Sequence, residues 1–282
     1  MSDDREPHAA GSATRQLPRA SPGVVWVRAI AAAAWLFGAG NVVVQIVYSM
    51  TEPAARLPTT IGSVIAFAVA SVLDAASRFG ARTAGWLVLV AGGGGLLAET
   101  VGVHTGFPFG TYAYTGTLGV AVLGVPLVVP LAWIMMAWPA FLVGRALGGH
   151  RAWRGVLLGG WALASWDVFL DPQMVDAGHW VWQDPAPGLP GVADVPLTNF
   201  AGWLLVATLI IFVLRRGAGE PRRLSELDLR AGPAPVLYLW TYGSSVWAHA
   251  VFFGRPWVSL VGGIVMGAVA VPFAVSLWRA HR

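Results

Sequence analysis

Three carboxylic acids stand where a soluble protein would not place them. Glu99, Asp167 and Asp171 each lie near the end of an apolar run of about membrane length. Glu99 leads into a stretch carrying His104, Phe107, Phe109, Tyr112 and Tyr114. The two aspartates open another that carries Trp166, Trp180, Trp182, Asn199, Phe200 and Trp203. A carboxyl group in apolar surroundings is costly to ionise, so it tends to stay protonated and can act as an acid. Aromatic faces tolerate a cation that water would quench. These residue types predict acid chemistry on an apolar, electron-rich substrate within a bilayer.

Asp167 and Asp171 are four residues apart and share one face of a helix. Ionisable residues inside a span mark functional paths by default, although a hydrogen-bonded structural acid is the plain alternative. Asp171 precedes Pro172 and can equally serve as a helix end. Each aromatic residue taken alone reads as an interfacial anchor; clustered beside three acids, they read as the lining of a substrate pocket. Gly106, Pro108, Gly110 and Gly116 give the first stretch a tightly turned shape.

Other chemistries fit less well. One histidine per segment (His104, His179, His249) does not make a membrane di-iron site, and no metal or redox cofactor is expected. The Asp-x-x-x-Asp spacing invites a magnesium–diphosphate reading. That site also needs cations for the phosphates, and the outer segments expected around these acids offer almost none, the chain having no lysine and only Arg56 and Arg255 there. Gly92 to Gly95 lie mid-span without a following lysine and predict close helix packing, not a phosphate loop. There is no Gly-x-Ser-x-Gly elbow and no dinucleotide fingerprint.

The elements that position these residues are set by composition. Of 282 residues 56% are hydrophobic and 11% charged, with a mean hydropathy of +0.64. A soluble domain carries about 25% charged residues, so lipid is the main solvent here. Without cysteine there is no disulfide and no thiolate chemistry. All 18 basic residues are arginine; they follow membrane topology and do not gather on one face, which argues against nucleic acid as a partner.

Residues 1–23 are expected to form a disordered cytoplasmic tail, and 24–282 one all-α transmembrane helical bundle with site loops 104–118 and 172–198. Apolar runs predict eight spans, near 24–48, 60–77, 84–103, 127–147, 154–171, 199–214, 235–253 and 257–278, with seven as the alternative. The second is the least certain, being rich in Ser and Thr and ending in Asp74. Residues 118–126 read as a re-entrant or interfacial segment. With the N-terminus inside, 15 arginines fall on inner segments and two, Arg56 and Arg255, on outer ones. That bias predicts both termini in the cytoplasm and both site loops outside.

The two blocks resemble the membrane carotenoid-biosynthesis family that includes the CruF-type carotenoid 1,2-hydratases and the bisanhydrobacterioruberin hydratases. The first block carries the resemblance in Gly102, Thr105, Gly106, Pro108, Phe109, Gly110, Tyr112 and Tyr114. In the second it rests on Asp167, Asp171, Pro172, Gly178, Trp180, Trp182, Pro196, Asn199, Gly202 and Trp203. It covers roughly residues 85–205. The resemblance implies a bacterial or archaeal cell-membrane enzyme that adds water to the terminal double bond of an acyclic carotenoid, giving a tertiary alcohol. Its partners would be the carotenoid, water, the lipid bilayer and other membrane enzymes of the pathway. On this reading Asp167 or Glu99 donates the proton, while Asp171, His104 or Asn199 orients the water. A lycopene cyclase shares the first step, and a non-catalytic membrane protein or transporter using the acids as a proton relay is a reading from another class.

Overall fold

Pro22 opens the first helix, where its missing N–H costs nothing. The computed structural model describes residues 22–219 and 226–282, with side chains from Val25 onward. The tail expected over 1–23 therefore lies outside the described residues, except that Pro22 and Gly23 already belong to α1 (Pro22–Met50). A second helix, α2, covers Leu57–Phe79. The third pass is α3 (Ala81–Leu87), a π-helical turn over Val88–Gly93, and α4 (Gly94–Thr105). Three short strands follow: β1 (Tyr112–Tyr114), β2 (Ala121–Val122) and β3 (Val125–Pro126). Next come α5 (Val128–Gly148), α6 (Ala152–Ala164), α7 (Asp167–Asp176) and β4 (Trp180–Trp182). The chain ends with α8 (Leu197–Gly217), α9 (Ala234–Val251) and α10 (Pro256–Ala280).

The protein is an all-α membrane bundle. Among the described residues six helical passes are long and apolar enough to cross a bilayer: Val25–Met50, Leu57–Phe79, Ala81–Thr105, Val128–Gly148, Leu197–Gly217 and Pro256–Ala280. The expected fifth and seventh spans fall short of that test. The fifth breaks at Ser165 and Trp166 into α6 and α7 and runs on to Asp176, past Pro172. The seventh, α9, is a continuous helix of 18 residues whose apolar run is diluted by Thr241, Tyr242, Gly243, Ser244 and Ser245.

At the centre stands α5, buried on every side from Trp133 to Gly144, as a helix apolar all round must be. Small residues bring its neighbours close. A Cβ on Gly144 would stand 2.9 Å from the backbone of Gly159, and one on Gly159 would stand 2.9 Å from Ile211 of α8. Without water to drive association, such close backbone packing is the main source of attraction between membrane helices.

Asp74 fixes one end of the bundle. Its carboxylate accepts from Arg78 Nε at 3.0 Å, Trp138 Nε1 at 2.8 Å and the backbone N–H of Ala234 at 3.1 Å. A buried charge is tolerable when its lone pairs are met in this way, so the polar end that weakened the second span on paper ties α2 to α5 and α9. The opposite end is closed by β1 and β4, which pair antiparallel with Tyr112 opposite Trp182 and Tyr114 opposite Trp180. The stretch 118–126 lies between β1 and α5. It contains the β2–β3 hairpin, with Val120, Val122 and Leu123 exposed, which suits a segment lying at the membrane interface.

Candidate active site

Glu99 lies on the last turns of α4, which ends at Gly106 with φ of 77°. That left-handed cap turns the chain sharply and sends Phe109, Tyr112 and Tyr114 back toward the acid. A Cβ on Gly102 would stand 2.8 Å from the Phe109 ring and 3.0 Å from the Tyr112 hydroxyl. The glycine therefore lets the loop fold down on the helix. Three donors converge on Glu99. Tyr112 Oη donates to Oε2 at 2.5 Å, Tyr114 Oη to the same oxygen at 2.9 Å, and Trp133 Nε1 to Oε1 at 3.1 Å. Burial and the neighbouring Glu99 carboxylate push both tyrosine hydroxyls up, so they remain donors.

Across from Glu99 stand the two aspartates at the start of α7. One side chain bridges them: Asn199 Nδ2 donates to Asp167 Oδ2 at 2.7 Å and also to Asp171 Oδ2. The two carboxyls lie within reach of each other, and the Trp180 indole reaches Asp171. Asp167 Oδ1 is buried with no donor. Asn199 arrives on the first turn of α8, where a close approach is needed. A Cβ on Gly202 would stand 2.6 Å from the carbonyl oxygen of Pro108.

All of these acids and rings but Asp167 face one cavity of about 650 Å³. Its walls include Glu99, Asp171 and Asn199 together with Phe109, Tyr112, Tyr114, Trp166, Trp180, Trp182 and Trp203. Trp133 stacks on Trp203 with centroids 4.1 Å apart and planes 13° apart, and Trp166 meets Trp203 edge-on at 6.2 Å. The arrangement can hold a proton, supply it to an apolar ligand and surround a positive charge with ring faces.

Three expected residues do not reach the cavity wall. Asp167 is fully buried behind Asp171 and is not part of the lining. His104 and Phe107 are exposed; the His104 ring nitrogen Nδ1 lies 2.8 Å from the Thr100 carbonyl, spent on its own helix. The α4 cap turns both away, because the helix face carrying Glu99 is not the one carrying His104. Conversely, sequence reasoning missed Trp133, a lone tryptophan inside an apolar run. It also missed a polar wall from α1, α2, α7 and α9 comprising Gln45, Tyr48, Ser63, Gln173 and Ser244. Their sequence signal was the scatter of amides and hydroxyls in otherwise apolar helices.

Fold and site together define a polytopic helical membrane protein with an acid-bearing aromatic cavity at one end of the bundle. The chain belongs to the carotenoid biosynthesis protein family, whose model matches residues 59–243, from α2 to α9. It is 34% identical over 177 residues to the bisanhydrobacterioruberin hydratase of Haloarcula japonica. That alignment covers 60% of this chain and 57% of the relative, so the match spans little more than half of the curated protein. No solved structure matches the chain.

Proposed function

We propose that the protein is a carotenoid hydratase, adding water across the terminal double bond of an acyclic carotenoid end group to give a tertiary alcohol. The observation that carries this reading is the Asp171–Asn199–Asp167 cluster at the wall of an aromatic cavity. Two carboxyls so close cannot both be ionised cheaply, and one shared proton removes their repulsion. The activity named for the Haloarcula japonica relative supports the same reading.

Asp171, which faces the cavity, gives the proton to the less substituted alkene carbon; a C–H bond forms and the π bond breaks. The tertiary cation rests against the Trp180, Trp203 and Tyr112 faces, with Glu99 as a fixed acceptor across the cavity. Water then attacks the cation and forms the C–O bond. Its surplus proton returns to the Asp171–Asp167 pair, restoring the acid. The sum is addition of one water, and no electrons change hands. The amides and hydroxyls of the opposite wall can hold that water, which favours capture by water over the internal capture a cyclase needs.

The test is expression in a lycopene-producing bacterium, grown anaerobically in heavy-oxygen water, with mass analysis of the pigments. The expected product is lycopene plus one water, its hydroxyl carrying the heavy label. An unchanged mass with a shortened chromophore means cyclisation, and label drawn from dioxygen ends the hydratase reading.

A further inference from the structure

One side of the cavity is lined by residues of α1 and α9. Toward the inner end the two helices are closed on each other. Trp240 Nε1 donates to Gln45 Oε1 at 2.7 Å, and a Cβ on Gly38 would stand 3.0 Å from Pro233. Toward the outer end a second contact closes the seam. The Arg56 guanidinium sits 5.2 Å from the Tyr48 ring centroid and 5.5 Å from that of Phe253, and these two rings meet edge-on at 6.0 Å.

Around these contacts several lining residues are also exposed. Ile46, Met50, Trp247 and Phe252 line the cavity, and they are 47%, 79%, 62% and 46% exposed. Side chains that do both mark a rim. Gly243 also lines the cavity and is exposed, and a Cβ there would meet nothing within 4 Å.

We infer that this α1–α9 seam is a lateral portal through which the end of a long acyclic polyene enters the cavity from the bilayer. The identity of the occupant rests on the hydration reading. Two arguments support a lipid-side entrance. The rim is apolar and stands on α1, a membrane-length apolar helix, so it faces acyl chains. An acyclic carotenoid is about as long as the roughly 30 Å hydrocarbon core is thick. A cavity bounded inwardly by the Gln45–Trp240 contact cannot contain it, so the remainder of the chain must lie outside, in lipid. Gly243 keeps the passage wide.

Because the chain has no cysteine, the portal can be blocked after folding. Gly243→Cys in liposomes is compared before and after reaction with a bulky apolar thiosulfonate, and again after reduction removes the adduct. Ile264→Cys, on an exposed part of α10, is the control. Two quantities are read: hydrated product per protein, and polyene retained by the purified protein, measured by its visible absorbance. The adduct at 243 should lower both at least tenfold, reduction should restore them, and the adduct at 264 should leave them unchanged. Full retention and turnover with position 243 completely modified would overturn the portal. Retained polyene that is displaced by the adduct, with no hydrated product from any form, would sustain the portal and defeat the hydratase reading.

Discussion

At the residue scale the acids divide their work by what surrounds them. Asp171 touches the cavity and Asp167 stands behind it, bridged by Asn199. Depth in the span alone favours Asp167 as donor; access favours Asp171. Asp171→Asn should therefore lower hydrated product per inserted protein by about 10²-fold or more, the scale of a lost general acid. Asp167→Asn still meets Asn199 through its carbonyl oxygen and should lose only about tenfold. Glu99 differs because three donors already fill it. In Glu99→Gln an amide N–H must face Trp133 or the tyrosines, and an unmet buried donor costs about 1–3 kcal/mol. That variant should melt earlier as well as work more slowly. An inserted, fully active Asp171→Asn beside an inactive Glu99→Gln of normal stability would move the proton to Glu99.

At the element scale the cavity depends on glycines that carry no chemistry. A Cβ on Gly95 would stand 2.5 Å from the Trp133 ring, displacing it from both Trp203 and Glu99. Overpacking of this kind costs about 1–3 kcal/mol, so Gly95→Ala should lower the unfolding midpoint in detergent and reduce activity. Gly85→Ala, with open space around its Cβ, should be neutral or stabilising by up to about 1 kcal/mol. Equal midpoints for the two variants would contradict this packing. The run Gly92 to Gly95 was legible as a packing device, but the π-helical turn over Val88–Gly93 was not, since apolar and glycine residues alone do not distinguish it from an α-helical turn. The rings of the two loops were legible as a cluster from their types. Their pairing through β1 and β4 was not, because strands of three residues carry too few alternating positions to declare a register. His104 and Phe107 show the converse: proximity in sequence to an acid says nothing about which way a helix cap turns. The polar wall escaped notice because Gln45, Ser63 and Ser244 sit on helices far apart in the chain, and only the bundle brings them together.

At the scale of the whole molecule, strand pairing and arginine count give separate information about orientation. β1 follows α4 and β4 follows α7, and the two are bonded to each other. The chain between them, α5 followed by α6 and α7, must therefore leave one end of the bundle and return to it. Loops 104–118 and 172–198 then share a side whichever way the protein is inserted, and the α5–α6 turn near His150 lies on the other. Arginine predicts the absolute sense: Arg145, Arg151 and Arg154 flank that turn, while the two loops contain none, a bias expected of a cytoplasmic turn. Single cysteines at Ala113, His150 and Asp184, all exposed in the structure, can be probed with a membrane-impermeant thiol reagent on intact cells. Ala113→Cys and Asp184→Cys should react from outside, and His150→Cys only after the membrane is opened. Opposite behaviour of the first two would dismantle the β1–β4 closure of the site. Agreement between them with His150→Cys reacting from outside would keep the site intact and reverse the insertion, placing the acids and their water supply at the cytoplasmic face.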